Sequence, residues 1–388
     1  MVIPEPIRVL TFIESRTVTG PSRVLIDFAH AARHADSGLP AVAVTLVTYR
    51  RGAGESALAA AATSAGVPVV AIPERKRWDW RVIPELRRVV TEFKPDILES
   101  RNVKSHFLIR ATGLHRQFPW VAWNHGYTSI DWLDRAYNRL DRWSLRGAFR
   151  VMTVCGPFAE ALQRNGVRKN KISILHNFAK PNVKPSREEV LRLRQQLGLA
   201  DEQVIITIGR MSAEKGHADL LNALAVMEQV PNLPNYRLVL VGDGPEEETL
   251  RRQASKLGIT ERIVMPGFQR NVAPYYAMAT IFALPSHSEG SPNVVLEAMS
   301  AGLPIVATTV GGVPEILEHE KTALLVTPRN PELMATALVQ VLGSEELRRR
   351  LGSSAETEVQ AAYTLDAYKR RLASFYIETL QMAGRREK

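Results

Sequence analysis

A chain of 388 residues, 45% hydrophobic and 23% charged, is long for one core and comfortable for two soluble domains. No apolar run approaches the roughly eighteen residues of a membrane span, and the start MVIPEPIRVLTFIE lacks the basic-then-apolar order of a secretory signal, so a cytoplasmic location is expected. A lone Cys155 excludes an internal disulfide and a cysteine-built zinc site, and the net charge of +10 resides in the first half: residues 1–180 hold 27 basic side chains against 15 acidic, residues 181–388 hold 23 against 25.

Short apolar runs alternate with helical patterns along the whole chain, as parallel sheets covered by helices require. In the first half the expected strands are 7–13, 41–47, 67–72, 96–100, 120–123, 150–154 and 171–175. All six tryptophans lie in this basic half, at 78, 80, 120, 123, 132 and 143, and RKRWDWR (75–81) joins two of them to four cations. Cations attract phosphates and indoles settle at water–lipid boundaries, so this half is expected to meet an anionic, amphipathic partner, with peripheral contact to an anionic membrane. HNFAKPNVKPSREE (176–189) has two prolines and no periodicity and reads as the joint, after which EEVLRLRQQLGL opens a second unit. There the expected strands are 204–209, 237–242, 262–267, 281–285, 304–308 and 323–326. From about Glu345 the tail reads as continuing helix, with Tyr363, Leu365, Tyr368, Leu372, Phe375 and Tyr376 forming an apolar stripe suited to cover the first unit. The expected fold is α/β: two doubly wound parallel-sheet domains in tandem, 1–180 and 186–360, with the tail from about 360 packing back on the first.

Ligands of open parallel sheets bind outside the carboxyl ends of the strands. After 204–209 comes GRMSAEKG (209–216), where Arg210 and Lys215 can converge on a diphosphate from a loop that leads into a helix. GDGPEEETL (242–250) reads as a glycine turn into an acid-rich helix start, mostly structural. The segment Met265 to Phe268, with Gly267, either approaches a flat base or packs. Then SHSEGSPNVVLEAMSAG (286–302) places Glu289 at the carboxyl end of a strand and Glu297 about a turn and a half into a helix, which opens at Pro292 with Ser291 as cap and closes at Gly302. Free N–H groups at that helix start form an anion site. Each carboxylate can accept two hydrogen bonds from a vicinal diol. Two of them beside a cationic cradle suit a nucleotide sugar: ribose diol, diphosphate, hexose diol.

Residues 203–330 resemble the nucleotide-sugar domain of glycosyltransferase family 4, retaining enzymes of the GT-B fold. GRMSAEKG and EGSPNVVLEAMSAGLPIVAT (289–308) carry the resemblance, and the two glutamates have the family's spacing. It implies two Rossmann-like domains with an interdomain cleft. It implies that Glu297 holds ribose and that Arg210 with Lys215 hold the diphosphate. Glu289 and the N–H groups of Ser291 to Asn293 would hold the hexose, with Gly209, Gly290, Pro292 and Val294 around the donor and Met265, Gly267 and Phe268 at the base. In the first half WNHGYT (123–128) is similar to the family's strand-end histidine, which puts His125 near the transferred sugar. TGPSR (19–23) stands where the family has a double-glycine loop, here with Gly20 alone. PDILESRNVKS (95–105) corresponds to an acceptor-side loop, in which Arg101, Asn102 and Lys104 favour an anionic acceptor.

The expected activity is metal-independent, retaining transfer of a hexose from a UDP- or GDP-linked donor to a saccharide or lipid-linked acceptor in envelope or exopolysaccharide assembly. His125, Glu289, Arg210 and Lys215 form the expected catalytic group. No cofactor is expected, and no metal, because no DxD motif occurs. An epimerase or hydrolase acting on sugar nucleotides is the alternative on the same frame. A nucleic-acid-binding protein would account for the basic charge but not for the paired carboxylates, so no nucleic-acid partner is expected.

Overall fold

The computed structural model describes residues 5–35, 38–76, 79–126, 132–180 and 184–384. Of the features above, Arg77, Trp78, Tyr127, Thr128 and the middle of the joint (181–183) lie outside the described residues. The chain divides into two units, Met1–Asn177 with Leu365–Lys388, and Phe178–Thr364.

The first unit holds β1 (Ile7–Phe12), β2 (Val42–Arg50), β3 (Val69–Pro73), β4 (Ile97–Ser100), β5 (Trp120–Asn124), β6 (Arg150–Thr153) and β7 (Ile172–Ile174), in the order β3-β2-β1-β4-β5-β6-β7. The second holds β8 (Gln203–Ile208), β9 (Tyr236–Val241), β10 (Ile263–Gly267), β11 (Ile281–Leu284), β12 (Ile305–Thr308) and β13 (Leu324–Val326), in the order β10-β9-β8-β11-β12-β13. Every pairing between these strands is parallel, and each of the thirteen expected strands is present. The sequence reads as near-continuous apolar runs because both faces are covered. In β8, Val204 and Ile206 enter one core and Ile205 the other, on opposite sides of one sheet. Winding outward from a central strand in both directions leaves a switch point in each unit, between β1 and β4 and between β8 and β11, where the flanking loops part and a ligand fits.

The tail differs from its expected form. It is two helices, Glu345–Ala362 and Leu365–Gly384, with Tyr363 and Thr364 between them. Tyr363 belongs to the second unit, buried with its hydroxyl donating to the Glu315 carbonyl at 3.0 Å. The rest of the stripe returns to the first unit: Tyr368 packs edge-on against Phe28 of the helix Gly20–Ala31, ring centroids 5.9 Å apart, and Tyr376 donates to Glu99 Oε2 at 2.5 Å. A single helix would have forced both aromatic sets onto one surface. The two-residue break lets each find its own core. Trp120 and Trp123 are core residues, whereas Trp80 and Trp143 are exposed.

Candidate functional site

The switch point of the second unit brings the β8 and β11 loops side by side. Lys215, at the end of the short turn Ala213–Lys215, places Nζ 2.8 Å from Glu289 Oε1, and the Ser286 hydroxyl donates to the same oxygen at 2.7 Å. Glu289 is only 7% exposed, so its carboxylate needs those donors. Its Oε2 makes no hydrogen bond among the described residues, and the ammonium keeps two further N–H donors for a ligand. Arg210 is exposed at the start of the same loop and forms no ion pair among the described residues. Two further bonds tie the loops together: His287 N–H to the Glu214 carbonyl at 2.8 Å, and the His287 ring to Asp219 at 2.7 Å. The Glu289 backbone is cradled in turn by the loop after β12. Gly312 donates to the Gly290 carbonyl at 3.1 Å, and a Cβ on Gly311 would stand 1.6 Å from the Glu289 carbonyl oxygen.

Glu297 lies on the helix Asn293–Ser300, where the buried Tyr276 hydroxyl reaches its Oε2 at 3.0 Å. Burial, and then the charge of Glu297, push the Tyr276 phenol well above its ordinary range, so it serves as a neutral donor. The helix starts one residue later than expected: Pro292, at φ −71 and ψ 114, is itself the capping residue, and Ser291 precedes it. Ser291 and Pro292 are buried, Gly290, Asn293 and Val294 half-buried, and Gly302 (φ +67) follows the helix end. On the edge strand β10, Met265 is half-buried, Gly267 turns the chain at φ +75, and Phe268 is 67% exposed. Phe268 therefore projects instead of packing. From β10 to β11 is three strand spacings, about 14 Å, so the carboxyl edge offers an elongated ligand an aromatic face at one end and a carboxylate at the other. Gly209 directly follows β8, and the GDG turn supports the loop: the Met211 amide donates to the Asp243 carbonyl at 2.7 Å. Tyr276, Ser286 and the glycine pair 311–312 escaped the sequence reading, although a double glycine directly after an apolar strand was a signal within reach.

Next to Lys215, His217 is buried with Nδ1 unpartnered, and burial, followed by the Lys215 charge, lowers its pKa from 6.5 to about 4. A depressed imidazole stays neutral when folded but takes up a proton when unfolded. The stability it contributes is therefore present above pH 6.5 and lost as pH falls through about 4. Melting temperatures recorded between pH 7.5 and 4 are expected to fall, with a shallower slope in His217→Asn. An unchanged slope in the variant would refute the assignment.

The first unit holds the expected acceptor-side residues mostly below its surface. Arg101 pairs with Glu99 at 2.7 Å and has a side chain 2% exposed, and its guanidinium lies 4.0 Å from the Trp123 ring centroid. Lys104, 3% exposed, pairs with Glu74 and, at 3.6 Å, with Glu14. Asn102 caps the helix Val103–Ala111, accepting from Ser105 N–H at 3.0 Å and donating to the Glu14 carbonyl. Internal carboxylates face both cations, while the two terminal nitrogens of Arg101 are buried without a hydrogen-bond partner. Gly20 is the first residue of its helix, whose preceding turn is closed by Thr19 N–H donating to Ser22 Oγ at 2.7 Å. His125 stacks on Trp123, centroids 5.8 Å apart at 16°, with Nε2 shielded and unpartnered. Burial first, then Arg101 and His106, push it down to about 3, so it is neutral at any physiological pH.

Comparison with known proteins now decides the family. The pattern described as Glycosyl transferases group 1 matches residues 190–358, the whole Lys215–Glu289–Glu297 site included, and the pattern described as Glycosyl transferase 4-like domain matches residues 19–177. The chain belongs to glycosyltransferase family 4. Within that family, the N-acetyl-α-D-glucosaminyl L-malate synthase of Bacillus anthracis is 31% identical over 217 residues, 55% of this chain and 56% of that protein. The α-D-kanosaminyltransferase of Streptomyces kanamyceticus is 29% identical over 255 residues, 63% of this chain and 65% of that protein. The chain thus spans little more than half the length of the curated relatives it matches. Anabaena HepE, solved in complex with UDP and glucose, superposes with a TM-score of 0.81 at 22% identity, covering 96% of this chain and 100% of that one. The lipopolysaccharide outer core galactosyltransferase WaaB superposes at 0.72 with 17% identity, covering 97% and 99%. Both share the GT-B fold.

Proposed function

We propose that the protein transfers a hexose, with retention, from a nucleoside diphosphate sugar to a hydroxyl acceptor. The observation that carries this reading is the Lys215–Glu289 pair at the β8/β11 switch point, with Glu297 on the helix that follows. Breaking the bond between the sugar carbon and the diphosphate leaves negative charge on phosphate oxygen. Lys215 and Arg210, with N–H groups at the start of the helix Asn293–Ser300, are placed to offset it. Glu289 takes hexose hydroxyls and Glu297 the ribose diol. The acceptor oxygen forms the new bond, and its proton passes to the departing phosphate. Neutral His125 offers a hydrogen bond rather than a charge. No group of three His, Cys, Asp or Glu side chains among the described residues is placed to hold a metal, and we assign the electrostatic work to the cations. UDP and GDP are the expected nucleotides. The names of relatives support the class: one is a GDP-mannose-dependent mannosyltransferase, and HepE was solved with UDP-glucose.

A ligand present at a hundred times its dissociation constant stabilises by roughly 2.7 kcal/mol, which for a unit of this size raises the melting temperature by about 5–10 °C. Either UDP or GDP is expected to do so, and turnover is expected to survive EDTA. No shift with any nucleotide would reject the site, and activity lost in EDTA and restored by Mg²⁺ would reject the metal-free mechanism.

Contact with an anionic membrane has its own support. Trp80, 65% exposed, meets Phe107 with centroids 6.5 Å apart, Phe107 meets Trp143, 44% exposed, at 6.2 Å, and Arg110 lies 3.8 Å from the Trp143 centroid. Exposed aromatics beside cations suit a lipid headgroup region. No helix among the described residues is long and apolar enough to cross a membrane. Sedimentation with phosphatidylglycerol vesicles is expected to weaken roughly tenfold in Trp80→Ala/Trp143→Ala. Equal binding by the variant, or equally tight binding to an oligonucleotide, would discard this face as a lipid contact.

A further inference from the structure

A cavity of about 540 Å³ opens in the first unit between the ends of β1, β2 and β3 and the helix Ala57–Ser64. At the carboxyl edge of the sheet it is lined by Arg16, Arg50 and Arg51. Arg51 is held by Glu14 and, at 2.6 Å, by Glu74, the same two carboxylates that hold buried Lys104. Two cations and two anions cancel there. Arg16 and Arg50 are left over, both exposed and neither in an ion pair among the described residues. Glu55 is the one further acidic side chain on the lining, so the mouth keeps a net positive charge. Away from that edge the chemistry changes. The Ala57 amide donates to the Arg16 carbonyl, which fixes the start of the helix at the carboxyl edge, so the helix runs back along the edge strand β3. Between them Ala59, Val69 and Ala71 make a wall of small apolar groups about 7 Å long.

A saccharide filling such a volume needs many hydrogen-bond partners, and of the lining hydroxyls Ser15, Ser56 and Tyr49 are already engaged, which leaves only Thr48 and Thr63 beside the two arginines. Ser56 caps the helix at 3.2 Å from the Ala59 amide, and buried Tyr49 bonds to Ser105 Oγ at 3.3 Å. An anionic head on the arginines with an apolar chain along the wall satisfies both halves. We propose that this cavity binds an acceptor carrying a phosphate or carboxylate group joined to an apolar chain. The word acceptor rests on the glycosyl-transfer reading; the cavity's ligand chemistry does not.

The test is calorimetric titration of the full chain with farnesyl phosphate, farnesol and inorganic phosphate, and with UDP and GDP in parallel. Farnesyl phosphate is expected to bind more tightly than either fragment. Arg16→Ala/Arg50→Ala is expected to weaken it roughly tenfold or more, and Ala71→Glu, an exposed position, to weaken farnesyl phosphate while leaving inorganic phosphate unchanged. Both variants should bind the nucleotide as the parent does. Unchanged farnesyl phosphate binding in either variant, or inorganic phosphate binding as tightly as the farnesyl ester, would overturn the assignment. If nucleotide binding fails in the parent while farnesyl phosphate binding and its loss in the variants hold, the transfer reaction falls and the cavity stands.

Discussion

Lys215→Ala is expected to lower turnover by about a hundredfold or more, the usual scale for removing one charge-stabilising donor from a reacting centre. Two effects combine. The ammonium that would face the departing diphosphate disappears, and Glu289, almost wholly buried, keeps only the Ser286 hydroxyl as partner among the described residues. A buried carboxylate robbed of its cation is left with an uncompensated charge and without the bond that fixed its position, so it grips sugar hydroxyls less well. Since the Lys215 side chain is 27% exposed and its amide bond to the Ser212 carbonyl persists, the fold should survive, with an unchanged far-ultraviolet spectrum. Arg210→Ala should cost less, roughly tenfold, because that guanidinium is exposed and screened. Rates measured at saturating donor separate the two. Parental turnover in Lys215→Ala would remove it from the reaction.

That pair was legible because each partner sits in a short run whose neighbours announce the local geometry: an apolar strand, a glycine-bearing loop, a helix start. What joins the runs was not. Arg101 and Lys104 show why. Both closely follow a strand, Arg101 directly and Lys104 in the first turn of the next helix, and in sequence they read like Arg210 and Lys215. Lys104 is neutralised by Glu74 and Glu14, thirty and ninety positions away, which meet it only because β1 and β3 end at the same edge of the sheet. Glu99, two residues before Arg101 and therefore on the same side of the strand, was the one local warning. The thirteen strands were readable for the reason that the tail was not. A strand covered on both faces is apolar throughout, whereas the aromatic stripe of the tail has the same period whether it serves one core or two. Only the break at Tyr363 and Thr364 assigns its parts. The cavity beside β3 left no signature, since alanines on a short helix and a strand look like ordinary core.

Gly311→Ala is expected to abolish most donor turnover without touching any group that contacts the donor. The residue sits at φ +54, and a Cβ there would stand 1.6 Å from the Glu289 carbonyl oxygen and 2.7 Å from its carbon. Both neighbours are backbone, so no side-chain rotation relieves the overlap. Either the β12 loop or the Glu289 loop must move, breaking the Gly312-to-Gly290 hydrogen bond and turning the carboxylate away from Lys215. A backbone shift with a strained φ destabilises by about 2–4 kcal/mol, which for a unit of this size is roughly 4–15 °C in melting temperature. Misplacing a reacting group by about 1 Å lowers the rate on the order of a hundredfold. Gly343→Ala, where a Cβ meets nothing within 4 Å at an ordinary φ, is the matched control and should melt and react as the parent does. The same substitution thus separates a loop held in one geometry by backbone contact from a loop that merely carries a useful glutamate. Full activity in Gly311→Ala would show that the position of Glu289 does not depend on the cradle beneath it.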